Sequence, residues 1–235
     1  NKKIHMRINA MLTPTEETLE HFVKNGIYKT DLLNVRSIKL YADGALGSRG
    51  AALIDPYSDD PDNNGLVVEP LEVYHKICKL AYENNYQVCT HAIGDSANRM
   101  MLDIYAYYLK GKNDLRWRIE HAQIVHPDDL NKFGDYNIIP SIQATHCTSD
   151  MYWAGKRLGE ERIKYAYIYK ELLIQNGWIP NGTDFPVERI EPLLTFYASV
   201  ARKDLEGFPE GGFQIENALS REETLNSMTI WAAKA

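Results

Sequence analysis

Short apolar runs alternating with helix-period segments predict an α/β fold built on a parallel sheet, open or closed into a barrel. Three observations carry this. Six strand-like segments recur along the chain, most of them followed by a stretch of helical spacing. Several of the runs end in a chemically able residue: Val88-Cys89-Thr90-His91, Ile119-Glu120-His121 and Gly182-Thr183-Asp184. Upstream, Ile38-Lys39-Leu40-Tyr41-Ala42-Asp43-Gly44 alternates apolar and polar positions. A buried strand that delivers a polar side chain at its C-terminal end is how α/β scaffolds place chemistry. With no internal repeat or low-complexity segment, residues 1–235 are expected to form a single domain.

The elements follow in order. Lys3 to Leu12 alternates and reads as a strand, and Thr13-Pro14-Thr15-Glu16-Glu17 opens a helix with acidic residues in its first turn. In the strand Ser37–Gly44, Ile38, Leu40 and Ala42 share one face, and Lys39, Tyr41 and Asp43 share the other. Gly44 to Gly65 is a long loop of the kind that forms lids or binding surfaces. A helix is expected over Pro70–Glu83, a strand over Val88–His91 and a helix from Ser96 to Leu109. Leu115–His121 is the next strand, and Pro127 opens a short helix. Asn137–Gln143 is a further strand, then comes an irregular stretch, Ala144–Gly159. A helix over Glu161–Asn176 ends at Gly177, and Trp178–Asp184 is the last strand. Glu188–Asp204 reads as helical, and Ser220-Arg221-Glu222-Glu223 has the form of a capping box.

Composition narrows the function. The chain has 235 residues, 44% hydrophobic and 25% charged, which is ordinary for a globular protein. A formal charge of −6 leaves no basic footprint for nucleic acid. No apolar run has the length of a membrane span, and the opening residues do not read as a secretory signal. Three widely spaced cysteines without a CxxC favour reduced thiols and a cytoplasmic setting. Both ends read as cut from something longer, because Asn1 runs straight into a strand pattern and the last residues stop inside a helical one.

In a parallel barrel the C-terminal strand ends converge, so His91, His121 and Asp184 can meet around one ion although they are far apart in sequence. Imidazoles with a carboxylate suit zinc or a similar divalent ion that keeps an open position. Such an ion activates water for attack on a carbonyl, and a neighbouring carboxylate moves the proton. Each histidine taken alone reads more readily as a satisfied polar residue at a strand end, and it is the recurrence of three such residues on successive units that favours the metal reading. Lys39 is either chemically changed inside the barrel, or paired with Asp43, or simply a lysine at a wet strand edge. Asp95 and Asn98 either orient His91 or, the better reading, cap their helix, and Arg118 and Glu120 read as a structural pair. Trp153, with Tyr152 and Arg157, is placed to line a substrate pocket or simply to pack. His5, His21, His75 and His126 have no ligand-like setting, and nothing near Cys89 or Cys147 suggests an activated thiolate.

Four segments carry a resemblance: Lys39-Leu40-Tyr41-Ala42-Asp43-Gly44-Ala45-Leu46-Gly47-Ser48-Arg49-Gly50-Ala51-Ala52-Leu53, Thr90-His91-Ala92-Ile93-Gly94-Asp95, Arg118-Ile119-Glu120-His121-Ala122 and Gly182-Thr183-Asp184-Phe185-Pro186-Val187. Together, and in this order, they resemble the amidohydrolase superfamily, in particular the YtcJ-like amidohydrolase family 3 group with its N-substituted formamide deformylase relatives. The resemblance implies a (β/α)8 TIM-like barrel of metal-dependent hydrolase type. It implies metal ligands at Lys39 (carboxylated, bridging two ions), His91, His121 and Asp184, with Asp184 also the proton shuttle. His146, Asp43 and Trp153 complete the expected set as substrate contacts. The family's His-x-His pair has no counterpart here. The chain is therefore expected to be a partial barrel, about strands 3–8, without the flanking small β-domain and of doubtful activity by itself.

The resulting expectation is a cytoplasmic hydrolase that uses one or two divalent metal ions, zinc foremost, to cleave a non-peptide amide or related C–N bond in a small-molecule substrate. Neither nucleic acid nor membrane is an expected partner, and exposed barrel edges point to a homo-oligomer. The competing expectations are hydrolysis of another ester-like bond and a non-catalytic binding or regulatory barrel. A phosphate-binding site is disfavoured, because no Gly-rich loop opens a helix in the required way.

Overall fold

The computed structural model describes residues 6–235, so Lys3–His5 of the expected first strand lie outside the described residues. The order is β1 (Ile8–Leu12), α1 (Glu16–Asn25), β2 (Tyr28–Lys29), β3 (Leu33–Tyr41), α2 (Leu71–Glu83), β4 (Gln87–Ala92) and α3 (Asp95–Leu109). There follow β5 (Arg118–His121), α4 (Asn131–Asp135), β6 (Ile139–Ser141), α5 (Thr145–Asp150) and α6 (Ala154–Arg162). The C-terminal part is helical: α7 (Tyr169–Asn176), α8 (Pro192–Ala201), α9 (Arg221–Met228) and α10 (Ile230–Lys234).

The sheet runs β1-β3-β4-β5-β6 with every neighbour parallel, and β2 adds an antiparallel strand to β3. Its two faces follow from alternation. Ile38, Leu40, Val88, Thr90 and Ile119 are buried. Of these, Leu40, Thr90 and Ile119 fall in one cross-strand row. Each fully buried Leu or Ile there contributes about 1.5–3 kcal/mol. The opposite face holds the rows Lys39–Cys89–Arg118 and Tyr41–His91–Glu120–Ser141. That face is chemical rather than apolar, and Arg118 pairs with Glu120 at 2.8 Å within it.

Most helices stand where the spacing predicts. Thr15 caps α1 by accepting from Thr18 N, the Ser220–Glu223 capping box is formed, and Gly177 closes α7 at φ 80. Three expectations are corrected. Trp178–Asp184 does not form a strand: only Asn181 bridges to Ile142, because Pro180 has no N–H to give a ladder and Asp184 turns at φ 56. The helix expected over 161–176 reduces to α7, because Ala166 is extended and Tyr167 sits at φ 57, while the stretch 144–159 expected to be irregular carries α5 and most of α6. Leu115–Trp117 precedes β5 without joining it, since Arg116 is left-handed at φ 59. The short β2 has no periodicity to announce it.

The 44–65 loop is anchored in the core at 51–53 and at Tyr57, with most of the residues between and after them exposed. Ala51, Ala52, Leu53 and Tyr57 are buried in it, and the Tyr57 hydroxyl donates to Ala51 O at 2.7 Å. Among the described residues no helix is long and apolar enough to cross a membrane.

Candidate metal centre

The C-terminal ends of β3, β4 and β5 open into a cavity of about 580 Å³, which is lined by Lys39, His91, His121, His146, Trp153 and Asp184 among others. Six of the seven residues singled out from the sequence therefore line one cavity. The seventh, Asp43, does not line it. Its carboxylate is buried and accepts three backbone N–H groups: Ile93 at 3.0 Å on Oδ1, and Ala52 at 2.9 Å and Gly94 at 2.7 Å on Oδ2. Burial pushes this carboxyl up to about 7 against the pull of those donors. Asp43 thus binds the 44–65 loop and the turn after β4 to the end of β3.

Backbone conformation aims the candidate ligands. Glu120 faces inward, so strict alternation would turn His121 outward with Ile119. His121 at φ 75 and Ala122 at φ 42 break the alternation and bring the imidazole into the cavity. Asp184 is delivered from another left-handed residue, φ 56. Such conformations cost about 1–3 kcal/mol each and persist where the surroundings fix them.

The groups that come together are His121, His146 and Asp184, whose ligand atoms all lie within 4.8 Å of one another. His146 Nε2 is 3.5 Å from Asp184 Oδ2, and its Nδ1 is 3.2 Å from Glu188 Oε1. His121 Nδ1 donates to Gln143 Oε1 at 2.6 Å. An amide oxygen only accepts, so the proton sits on Nδ1 and the Nε2 lone pair is free. His91 stands beside the trio, ring centroid 4.6 Å from that of His121, with a buried Nε2 that has no hydrogen-bond partner and lies 3.6 Å from Asp43 Oδ1. Lys39 Nζ sits 4.8 Å above the Tyr41 ring. Lys39 and His91 are thus adjacent to the trio, not members of it, and His146 is the member the sequence placed elsewhere.

The electrostatics sort the same residues. Burial first, then the neighbouring His121, lowers His91 to about 3, and burial and His146 lower His121 to about 4. Both are neutral imidazoles at physiological pH. Burial also acts against charge on His146, but hydrogen bonds to Asp184 and Glu188 win and hold it at about 9. The same bonds hold Asp184 and Glu188 below the usual carboxylate range. Burial lowers the Lys39 amine, partly countered by Glu120.

Other residues near the centre had no motif to reveal them. Glu188 and Gln143 orient the histidines; Gln123 and Asp150 line the cavity wall. Trp153 forms another wall, with Arg157 5.9 Å over its ring and Gly47 against its edge. Tyr152 points away and stacks on Phe208. Asp95 and Asn98 are not simple caps: Asp95 accepts from Ile54 N at 2.9 Å as well as Ser96 N, and Asn98 donates to Ala92 O and Gly94 O.

Comparison with known proteins places the chain in a family. The chain is 36% identical over 194 residues to Protein LONG AFTER FAR-RED 3 of Arabidopsis thaliana, covering 81% of this chain and 33% of that protein. It is 35% identical over 167 residues to "Putative amidohydrolase YtcJ" of Bacillus subtilis (strain 168), covering 71% and 31%. The crystal structure of an uncharacterized metal-dependent hydrolase from Pyrococcus horikoshii OT3 superposes with a TM-score of 0.85 at 32% identity, covering 97% of this chain and 46% of that one. The chain thus spans about a third of the length of these curated relatives and just under half of the solved hydrolase. The Amidohydrolase family model matches residues 1–235. The protein is a YtcJ-like member of the Amidohydrolase family.

Proposed function

We propose that this chain supplies most of the active-site face of a metal-dependent hydrolase that cleaves a non-peptide amide or related C–N bond in a small molecule. The observation that carries the proposal is the convergence of His121, His146 and Asp184 ligand atoms within 4.8 Å, inside a cavity at the C-terminal edge of the sheet. Two imidazoles and one carboxylate match the donors of a zinc site with an open position, so the residues present fit a divalent ion. His121, His146 and Asp184 would hold it, with His91 and a carboxylated Lys39 beside them for a second. When bound, the ion would supply Lewis acidity and an activated water.

The side chains provide the rest. Gln143 fixes the His121 tautomer so that Nε2 presents its lone pair. Glu188 orients His146 through Nδ1 and shares its positive charge. Asp184 is held ionised and exposes an oxygen to the cavity, which suits it to accept a proton from the nucleophile and return it to the leaving nitrogen. Burial lowers the Lys39 amine, the direction that favours carboxylation by CO2.

Elemental analysis of the purified chain and of its His121→Ala and Asp184→Ala variants tests the site. About one or more equivalents of zinc in the wild type, lost in both variants, is expected. A screen of anilides and formamides should then show turnover that ends with a chelator. Metal-free protein with unchanged content in the variants, or chelator-resistant turnover, would sink the proposal.

A further inference from the structure

Asp150 lines the same cavity but takes no part in the metal centre. It lies one turn beyond His146 on α5 and is held by two neighbours. The Tyr167 hydroxyl donates to Oδ2 at 2.7 Å, and Gln123 Nε2 approaches the same oxygen at 3.4 Å. Gln123 also donates to the Tyr167 oxygen at 3.0 Å, and Tyr167 N donates to Gln123 O at 2.7 Å. Tyr167 is fully buried in a left-handed conformation, φ 57. A buried tyrosine in that conformation makes a rigid anchor. Both anchoring bonds fall on Oδ2, which leaves Oδ1 to accept from a molecule in the cavity.

The apolar side of the cavity is equally built. Arg157 reaches Gly47 O at 3.1 Å and pairs with Asp59, which also takes Arg49 at 3.1 Å on each oxygen. This clasp holds α6 to the 44–65 loop. Trp153 is fixed between Arg157 and Gly47, where a Cβ on Gly47 would stand 3.3 Å from the indole. Leu46 and Ile93 extend the surface.

We propose that Asp150 is a specificity-determining residue: its carboxylate accepts an N–H from the substrate, so the cavity selects N–H-bearing acyl compounds, primary or secondary amides, whose flat apolar part lies on Trp153. This rests on the reading of the cavity as a hydrolase site and adds the rule that chooses amide over ester. An ester presents an oxygen lone pair where the amide presents N–H, and two acceptors repel. A site built to take a substrate N–H discriminates strongly against the analogue without it, because its polar group is left unpaired.

Acetanilide and phenyl acetate differ only in that N–H. Their binding to the full chain is measured by calorimetry in chelator, so that no turnover is involved, for wild type, Asp150→Asn and Tyr167→Phe. Wild type is expected to bind acetanilide at least about tenfold tighter than phenyl acetate. In Asp150→Asn the preference collapses to within about threefold through loss of acetanilide affinity alone, because an amide can satisfy Tyr167 or the ligand but not both. Tyr167→Phe keeps the carboxylate and falls between the two. Equal affinities in the wild type, no binding of either compound, or equal weakening of both by Asp150→Asn would overturn the proposal. Amide turnover without binding preference would sink this rule and spare the hydrolase reading; preference without turnover would do the reverse.

Discussion

Asp43 Oδ1 stands 3.6 Å from His91 Nε2 while the two oxygens of the same carboxylate already take three backbone N–H groups. A single buried side chain therefore ties β3, the turn after β4 and the covering loop to the wall of the cavity. Asp43→Asn keeps the size but has only one acceptor oxygen. Either the Ile93 donor or the Ala52 and Gly94 donors would face an NH2 group. The amide settles with its NH2 toward the single Ile93 donor, and one buried donor left unpaired costs about 1–3 kcal/mol, which is the expected loss. Urea unfolding checks it: the midpoint should fall with the slope unchanged.

Gly94 shows a second constraint on the same turn. A Cβ built there would lie 1.9 Å from Ala52 O, the carbonyl that accepts from Ser96 N at 3.1 Å. The neighbour is backbone in the buried part of the loop, so it cannot simply swing aside. Gly94→Ala should cost about 3 kcal/mol or more, at the upper end for overpacking. The 44–65 loop would be displaced with it. Thermal unfolding gives the loss, and increased hydrogen exchange at Ala51–Leu53 would locate it; a variant as stable as wild type would contradict the close approach.

These two residues show what the sequence made legible. The parallel α/β sheet, most helices and the strand-end placement of His91 and His121 followed from periodicity and from which residue ended each run. The role of His146 did not. It lies on a six-residue helix after β6 in a stretch with no repeating pattern, and it joins the trio through Asp184 and Glu188, about forty residues downstream. Asp43 looked like a site residue because polar residues at strand ends often are. Only the three N–H groups converging on it from distant segments identify it as a fastening. Alternation likewise assigns His121 to the wrong face, since a positive φ is invisible in an apolar–polar pattern. Register, strain and convergence of remote segments are tertiary properties, and local pattern does not encode them.

Gln143 offers a test of the histidine geometry. Its Oε1 accepts from His121 Nδ1 at 2.6 Å and so selects the tautomer that leaves Nε2 unprotonated. Gln143→Leu removes the acceptor without adding a charge. Zinc affinity is expected to fall about 10–100-fold, the usual effect of losing a partner that orients a ligand. Competition with a chromophoric chelator measures it. Unchanged affinity would mean that His121 does not bind through Nε2 or does not bind at all.

The metal-free chain should reveal His146 through its pH-dependent stability. Its folded pKa of about 9 lies above the ordinary histidine value of 6.5, so the folded state holds the proton more tightly than the unfolded state. The resulting stabilisation is fully present below about pH 6.5 and is lost as pH rises through about 9. Asp184 and Glu188 contribute in the opposite sense: both are held low, so their share is present above the ordinary carboxylate range and is lost as pH falls through their depressed folded values. The three-residue cluster is therefore most stabilising near pH 6. A shift of this size corresponds to on the order of 2–3 kcal/mol between pH 6 and pH 10. Urea unfolding in chelator should give that difference for wild type and a much smaller one for His146→Gln, which keeps a polar group but has no proton to lose in this range. Zinc binding needs the neutral imidazole, so titration of the wild type near pH 7.5 should release close to one proton per ion from His146, seen as a buffer-dependent heat. If His146→Gln kept both the pH dependence and the proton release, the ion-paired His146 would not be their source.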